Sequence, residues 1–270
     1  MSVAIDFGIT NTDVVVSKDH DKKFYSFPSK SITTKFIDHI FDEIKLNISN
    51  TDKIAVTGGK SSDLSDNYNG IPVIKVNEVD AIGHGAIALY DISDKSFVAV
   101  SAGTGTACIH HHNGKFNHLG GISVGGGTLQ GLSKSLMNIE NAKEIEELAK
   151  KGNRKELDFL IGDVVNEIGA LNPEITASNF GKAKYNKNIS IESTAASLSN
   201  MIGEVIGTIS YLNALLCGED KVFFLGRTSL NKVIKLGIED RLKLANITGV
   251  FKENREYGNV LGALRFIQSN

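Results

Sequence analysis

The start of the chain alternates apolar and polar segments at the spacing of short strands. Residues 3–5 are apolar, residues 6–13 form a polar segment that contains a glycine, and residues 14–16 are three consecutive valines. A strand, a glycine-containing turn and a second strand are typical of a β-hairpin. The pattern then predicts a strand, a helix, two strands and a helix at residues 24–27, 33–46, 53–56, 71–76 and 80–89.

The same pattern returns in the second half of the chain. Residues 97–110 predict two strands around a glycine-containing turn, as in the opening hairpin. Residues 221–225, followed by Gly226, match the earlier strand that is followed by Gly58. We interpret this repetition as an internal duplication, which predicts two related α/β lobes.

The lobe boundaries follow from where the pattern restarts. We place the N-terminal lobe at residues 1–95 and the C-terminal lobe at residues 96–270. A large helical insertion, residues 124–216, separates the second hairpin from the last strands of its lobe. The C-terminal helix, within residues 254–270, is free to pack back on the N-terminal lobe.

Composition excludes several classes of protein. Hydrophobic residues make up 41% of the 270, and the net charge is −2, which predicts neither a nucleic-acid nor a membrane partner. Asp6 interrupts the apolar start, unlike in a secretory signal. The apolar stretch 195–217 contains polar residues and predicts a buried helix rather than a membrane span. Cys108 and Cys217 lie among apolar residues, as buried thiols do in a reducing compartment, so we expect a cytoplasmic protein.

Two turns rich in glycine and hydroxyl groups are candidates for phosphate binding. Residues 6–13 and 103–106 occupy equivalent places in the two hairpins. Glycine lets a bulky anion approach the backbone, and hydroxyl and amide groups bond to phosphate oxygens. Either turn alone is also an ordinary hairpin turn, but the pair predicts two loops that bind a nucleotide polyphosphate from both sides of a cleft. Asp6, at a strand end, is a candidate to hold hydrated Mg²⁺.

Two further segments are candidate ligand loops. Five glycines lie within residues 119–127, before a predicted helix, where backbone passes close to a flat or charged ligand. Residues 226–229 connect a strand to a helix, which is a usual ligand position in α/β sheets. A simple connecting loop explains residues 226–229 nearly as well.

Glu78 is the candidate general base. It follows a predicted strand and precedes a predicted helix, where a carboxylate is placed to accept a proton from a substrate hydroxyl. The alternative is a charge at the N-terminus of the helix, a role that suits Asp80 better.

These segments resemble those of the acetate and sugar kinase, Hsp70 and actin superfamily, and within it the type II pantothenate kinases. The resemblance spans nearly the whole chain, and its anchors are residues 5–8, 56–59, 76–81, 103–106, 120–127, 176–181 and 258–264. It implies a duplicated actin-like ATPase (ribonuclease H-like) fold, with two lobes around a nucleotide cleft. It also implies ATP-dependent phosphorylation of pantothenate, the first step of coenzyme A synthesis, by a homodimer joined through the helical part of the second lobe.

The resemblance further implies roles for particular residues. Glu78 is the catalytic residue, and Glu78, Thr104 and His118 contact the substrate. Asp6 stays the candidate to hold Mg²⁺ through water because of its position at the end of a strand. The residues implied to bind ATP are Asp6, Phe7, Gly8, Ile9, Thr10, Asn11, Thr12, Asp13, Thr104, Gly126, Gly127, Thr128, Leu129, Gln130 and Arg227.

Three positions depart from the family pattern. Ile9 replaces the second glycine of the first loop, which restricts the approach of a ligand to the backbone. Asp13 replaces a lysine and puts an anion near the ATP phosphates, so we expect its side chain to point toward the cleft but turn partly to solvent. His118 replaces an arginine that helps to place the substrate, and histidine titrates near neutral pH whereas arginine stays charged.

These departures leave two other functions open. A change of substrate at His118 would give a kinase for another small hydroxylated metabolite. Loss of catalysis through Asp13 would give an inactive protein that binds a nucleotide or an acyl-CoA and regulates a partner. Because Glu78 and Thr104 are retained, a working pantothenate kinase is the favoured interpretation.

Overall fold

Two mixed β-sheets with matching strand order organise the chain. The computed structural model describes residues 1–19, 21–92, 95–165 and 172–269. Its strands are β1 Ser2–Phe7, β2 Asn11–Lys18, β3 Asp21–Pro28, β4 Lys53–Thr57, β5 Asn67–Tyr68, β6 Ile71–Lys75, β7 Phe97–Ala102, β8 Thr106–His112, β9 Lys115–Ile122, β10 Phe159–Leu160, β11 Thr176–Ser178, β12 Lys221–Leu225 and β13 Thr248–Val250. Its α-helices are α1 Thr34–Glu43, α2 Glu78–Tyr90, α3 Gly126–Met137, α4 Ala142–Ala149, α5 Ile161–Val164, α6 Ile191–Cys217, α7 Lys232–Lys243 and α8 Gly258–Ser269.

The strand order of the two sheets confirms the duplication. The first sheet has the order β3-β2-β1-β4-β6-β5, and the second, from the opposite edge, has the order β9-β8-β7-β12-β13. In each sheet three consecutive strands form an antiparallel meander, and two later strands continue it in parallel. The turn β1–β2 is therefore the structural equivalent of the turn β7–β8.

Alternation along the strands decides whether a side chain of the first sheet faces helix α1 or helix α8. In β1 the odd-numbered residues pack in the core that includes α1, whereas Ala4 packs in the core that includes α8. Since successive side chains point to opposite faces, Asp6 lies on the same face as Ala4. Its cross-strand partners are Asp13 on β2 and Thr57 on β4. The three polar side chains therefore share one face at the end of the sheet.

Helices α2 and α8 form a closely packed pair between the two sheets. Helix α8 contacts β1, β2 and β4 of the first sheet, and α2 contacts β7, β8, β9 and β12 of the second. A Cβ atom at Gly262 would lie 1.7 Å from the Ala81 carbonyl oxygen, and one at Gly85 would lie 2.1 Å from the Gly258 carbonyl oxygen. The two helices thus meet backbone to backbone, which sets the spacing of the layers that they join.

Three sequence-based expectations on element type and bounds need correction. The glycine-rich stretch is not one loop, because its first part lies in strand β9 and its last glycines begin helix α3. The insertion is not purely helical, since β10 and β11 pair within it. Helix α2 begins at Glu78 rather than Asp80, because the Asn77 side chain caps it by accepting a hydrogen bond from the Asp80 amide at 2.9 Å.

The long apolar stretch of the second lobe forms part of helix α6, as predicted. Buried polar residues along it include Asn200, Glu204 and Asn213. Within the described ranges, no helix combines the length and apolar character that crossing a membrane requires.

We predict that Gly262→Ala destabilises the protein. The added methyl group has no room against helix α2, and overpacking of this kind costs about 1–3 kcal/mol. Gly131→Ala is the matched control, because Gly131 also lies inside a helix but a Cβ atom there meets no heavy atom within 4 Å. Urea unfolding should show a lower free energy of unfolding for Gly262→Ala and an unchanged or slightly higher one for Gly131→Ala. Equal stability of Gly262→Ala and the unsubstituted protein would contradict the close packing of α2 and α8.

Candidate functional site

The equivalent turns of the two lobes meet. The first loop, residues 8–10, joins β1 to β2, and the second loop, residues 103–105, joins β7 to β8. The Thr10 hydroxyl lies 3.1 Å from the Thr104 hydroxyl, within hydrogen-bond distance. The structure therefore brings together the two loops that the sequence predicts to face one another.

The first loop is held in shape by a residue that the sequence did not single out. The Ser29 amide donates to the Thr10 carbonyl at 3.1 Å, and its hydroxyl donates to the Gly8 carbonyl at 2.6 Å. The Thr12 hydroxyl lies 3.1 Å from the same serine oxygen. A Cβ atom at Gly8 would lie 2.6 Å from the Asn11 carbonyl oxygen, so the turn requires glycine there.

Two other predicted residues of this segment have contrasting environments. The Phe7 side chain is buried in the core beside α1, so it supports the loop from beneath rather than lining the cleft. Ile9 is 80% exposed at the tip of the loop, where an apolar side chain without packing partners stands in place of a glycine.

The N-terminus of helix α3 holds the second loop. The Gly126 amide donates to the Gly103 carbonyl at 2.8 Å, and the Gly127 amide donates to the Thr104 carbonyl at 3.0 Å. The Thr228 hydroxyl also donates to the Gly103 carbonyl, at 2.7 Å. These two glycine amides are therefore already bonded within the protein, and the glycines act by allowing helix and loop to approach closely.

The rest of the glycine-rich segment has structural contacts as well. The Thr128 hydroxyl donates to the Ser123 carbonyl at 3.1 Å. Leu129 is 3% exposed and belongs to the core of the second lobe. The Gln130 amide group donates to the Glu140 carbonyl at 3.0 Å. We therefore expect any nucleotide contact of this segment to come from backbone surface rather than from these three polar or buried side chains.

Carboxylates gather at the strand ends on the first-lobe side of the cleft. Burial raises the pKa of Asp6 to about 8, and the neighbouring Asp13 and Glu78 carboxylates add to the rise, whereas Arg227 opposes it. Asp6 is consequently largely protonated near neutral pH when no cation is bound. A cation would favour its ionised form.

The surroundings of Asp6 fit a hydrated magnesium ion. In the ranges that the structure describes, the hydroxyl of its cross-strand partner Thr57 is buried without a hydrogen-bond partner, so a second oxygen is available beside the carboxylate. A Cβ atom at Gly58 would lie 2.4 Å from an Asp6 oxygen, so glycine keeps this corner open. Magnesium commonly binds proteins through one or two carboxylates and retains several waters. Among the described residues, no group of three or more His, Cys, Asp and Glu side chains is arranged to hold a metal directly.

The environment of Glu78 suits its predicted role as general base. It is the exposed first residue of α2, close enough to Asp6 to raise the pKa of that carboxyl. Asp80, the alternative helix-terminal charge, accepts a hydrogen bond from the Asn77 side chain at 2.5 Å. Within the described part of the chain, no hydrogen bond or ion pair engages the Glu78 carboxylate. It is therefore free to contact a ligand.

Asp13 does not turn to solvent. It is 6% exposed, and its carboxylate forms an ion pair with Arg227 from the other lobe. The expectation of a partly solvated Asp13 is wrong because an arginine 214 positions away in the sequence neutralises it. His118 is exposed on β9, opposite Ile109, and its role in substrate binding stays a prediction.

Comparisons with known proteins identify the family. A family model described as Fumble matches residues 95–236. A type II pantothenate kinase of Bacillus thuringiensis subsp. konkukian (strain 97-27) is 33% identical over 97% of this chain and 96% of its own length. Another, of Staphylococcus aureus (strain USA300), is 27% identical over 98% of this chain and 98% of its own.

Solved structures share the fold at low sequence identity. An activator of the 2-hydroxyisocaproyl-CoA dehydratase from Clostridium difficile, with bound ADPNP, matches with a TM-score of 0.68 and 15% identity over 98% of this chain and 93% of that chain. A ROK family glucokinase from Streptomyces griseus, with glucose and AMPPNP, matches with a TM-score of 0.64 and 11% identity over 100% and 99%. The predicted actin-like fold is thereby confirmed. The 33% identity over nearly the full length of both sequences shows more, and this chain belongs to the type II pantothenate kinase family.

Proposed function

We propose that this protein catalyses the ATP-dependent phosphorylation of pantothenate to 4′-phosphopantothenate, the first step of coenzyme A biosynthesis. The observation that carries the proposal is the contact of Thr10 with Thr104 across the cleft, at 3.1 Å, with the free Glu78 carboxylate on the same side as Asp6. Family membership supports pantothenate as the acceptor, and the actin-like fold supports ATP as the donor.

The proposed reaction is an in-line transfer of the γ-phosphoryl group. The Glu78 carboxylate accepts the proton of the primary hydroxyl of pantothenate, while that oxygen bonds to the γ-phosphorus. The bond between the γ-phosphorus and the oxygen bridging it to the β-phosphate breaks, and ADP leaves with the electron pair. Hydroxyl and amide groups of both loops stabilise the charge on the transferring group. Asp6 would hold Mg²⁺ through water, and the bound ion would neutralise charge on the phosphates.

Of the two alternative functions, one loses its motivation. The inactive regulator was suggested by the negative charge of Asp13, and Arg227 compensates that charge. One observation still supports the other alternative, a kinase for another small hydroxylated acceptor. His118 is exposed at the position where the family resemblance implies an arginine.

We predict pantothenate-dependent formation of ADP that requires Glu78. Purified protein, supplied with MgATP and a panel of acceptors, should release ADP with pantothenate and much less with sugars or other hydroxy acids. Glu78→Gln should lower kcat about 10²-fold or more, because the amide cannot accept the proton, while ATP binding survives. Glu43→Gln, an equally exposed carboxylate at the end of α1, is the matched control and should keep full activity.

Three results would contradict this assignment. ADP formation with another acceptor but not with pantothenate would establish the alternative kinase. Nucleotide binding without transfer to any acceptor would establish the regulator. An unchanged kcat in Glu78→Gln would remove this glutamate from the mechanism.

We propose a homodimer formed through helices α3 and α6, which contact each other in the second lobe. Several of their leucines are exposed to solvent in the single chain. Leu136 on α3 is 58% exposed, and Leu216 near the end of α6 is 79% exposed. The remaining exposed leucines of these helices are Leu132, Leu212 and Leu215. Exposed apolar residues concentrated on adjoining helices are typical of subunit interfaces.

The dimer is tested by charge substitution. The double variant Leu136→Glu/Leu216→Glu should sediment and scatter light as a monomer, because two glutamates per subunit would have to be buried unpaired in the interface. Ile191→Glu is the matched control, since Ile191 is 47% exposed at the opposite end of α6. A dimer that survives the double substitution, or a monomeric unsubstituted protein, would contradict this interface.

We also propose a cytoplasmic location. Both cysteines are free thiols, but only Cys108 is buried, and Cys217 is half-buried rather than buried as expected. Burial raises the pKa of Cys108 to about 11, which keeps it protonated and unreactive. Free, buried thiols are typical of proteins from reducing compartments.

A further inference from the structure

One arginine links the two lobes beside the phosphate loops. Arg227 follows strand β12 of the second lobe, and its Nη2 atom donates to the Asp13 carboxylate on β2 of the first lobe. The same Nη2 donates to the Ser26 hydroxyl on β3 at 2.7 Å. The guanidinium carbon lies 5.4 Å from the centre of the Tyr257 ring, and Phe24 stacks on that ring at 4.8 Å. The guanidinium is therefore fixed by charge, hydrogen bonding and ring contact.

The location of this guanidinium connects it with the ATP site. Thr228, the next residue, bonds directly to the Gly103 carbonyl of the second loop at 2.7 Å. The charge of Arg227 also acts on Asp6, at the start of the first loop. Arg227 thus lies beside the second loop, and its side chain reaches toward the carboxylates of the first lobe.

The guanidinium retains capacity for a ligand. Within the described ranges, both of its hydrogen bonds to the protein use Nη2, which leaves the N–H groups of Nε and Nη1 without a protein acceptor. Its side chain is 32% exposed, so these groups are not sealed inside the protein. Because both parallel donor pairs of a guanidinium include Nη2, neither is available here, but Nε and Nη1 can each still donate a single charge-assisted bond to a phosphate oxygen.

Asp13 has the opposite character, because its side chain is 9% exposed and its Oδ1 atom is paired with Arg227. A buried carboxylate of this kind is too costly to leave without a partner, so the pair orders Arg227 as well as neutralising Asp13. An unpaired arginine side chain would sample several rotamers, and ATP binding would then have to order it.

We propose that Asp13 is a positioning residue: it holds the Arg227 guanidinium across the interlobe cleft, where the free N–H groups bind the polyphosphate of ATP. The inference rests on the proposed kinase function. It gives a role to Asp13, which the sequence shows only as a departure from the family pattern. Asp13 itself does not contact the nucleotide, so its effect passes through the arginine.

The experiment compares MgATP with adenosine, which has the same base and sugar but neither the phosphates nor the metal ion. Binding of MgATP and of adenosine is measured by calorimetry for the unsubstituted protein, Arg227→Gln and Asp13→Asn, together with melting temperatures. Arg227→Gln should weaken MgATP binding about tenfold or more and leave adenosine binding unchanged, because adenosine lacks the phosphates that the guanidinium contacts. Asp13→Asn should weaken MgATP binding severalfold and also leave adenosine binding unchanged, since the guanidinium remains but is no longer held in place.

Exchanging the two charged residues distinguishes a role of Asp13 in positioning the arginine from a role in merely joining the two lobes. Asp13→Arg/Arg227→Asp should recover much of the melting temperature lost in the single variants but not the affinity for MgATP, because the anion now projects from the second lobe. Arg241→Gln is the matched control. It breaks a comparably buried pair with Glu204 at 3.1 Å and should lower the melting temperature without changing the ratio of MgATP to adenosine affinity.

Two outcomes would overturn the proposal. If Arg227→Gln and Asp13→Asn lower the melting temperature but leave the ratio of affinities unchanged, the pair is only a structural link between lobes. If the charge exchange restores MgATP affinity together with stability, the position of the arginine is immaterial. Failure of the unsubstituted protein to bind MgATP would instead refute the proposed kinase function.

Discussion

The contact between the two equivalent turns is the constraint on which the site depends. Thr10 and Thr104 can meet at 3.1 Å only because each turn is fixed within its own lobe, the first by Ser29 and the second by Thr228 and the start of α3. The lobes in turn are spaced by the backbone contact of α2 with α8. A duplicated hairpin thus becomes a two-sided site because the structure between the copies fixes their separation.

Charge decides what this site can accept. Asp6, Asp13 and Glu78 place three carboxylates on one side, and one of them is compensated by Arg227. Two like unit charges about 6 Å apart repel by about 3 kcal/mol at an effective dielectric near 20. Asp6 is largely protonated without a cation, so this repulsion of a triphosphate arises once Asp6 ionises. A nucleotide that arrives with a divalent cation removes this penalty and favours the ionised form of Asp6. The electrostatics therefore favour the proposed magnesium complex of ATP over free ATP.

The pattern of apolar and polar residues along the chain predicted most of the strands and helices. Features that depend on contacts between distant residues were not predicted. The hairpins, the repeat and the apolar core of α6 follow from alternation and helical spacing, which neighbouring residues determine. The start of α2 was placed two residues late because Asn77 is a strong cap that apolar periodicity does not register. Gly126 and Gly127 also bond to the loop at residues 103 and 104, a contact that no local pattern predicts, while their contact with ATP stays a prediction. The pairing of Asp13 with Arg227 spans 214 positions, and no local pattern predicts it.

Hydrogen exchange with a bound nucleotide tests the two-sided site most directly. The protein is compared with and without a non-hydrolysable ATP analogue and Mg²⁺, and amide exchange is followed in peptides that cover residues 8–12 and 103–106. If both duplicated turns bind one polyphosphate, exchange should slow in both segments, with the same dependence on nucleotide concentration. Protection confined to one segment, with the other unchanged at saturation, would contradict a site shared between the two lobes.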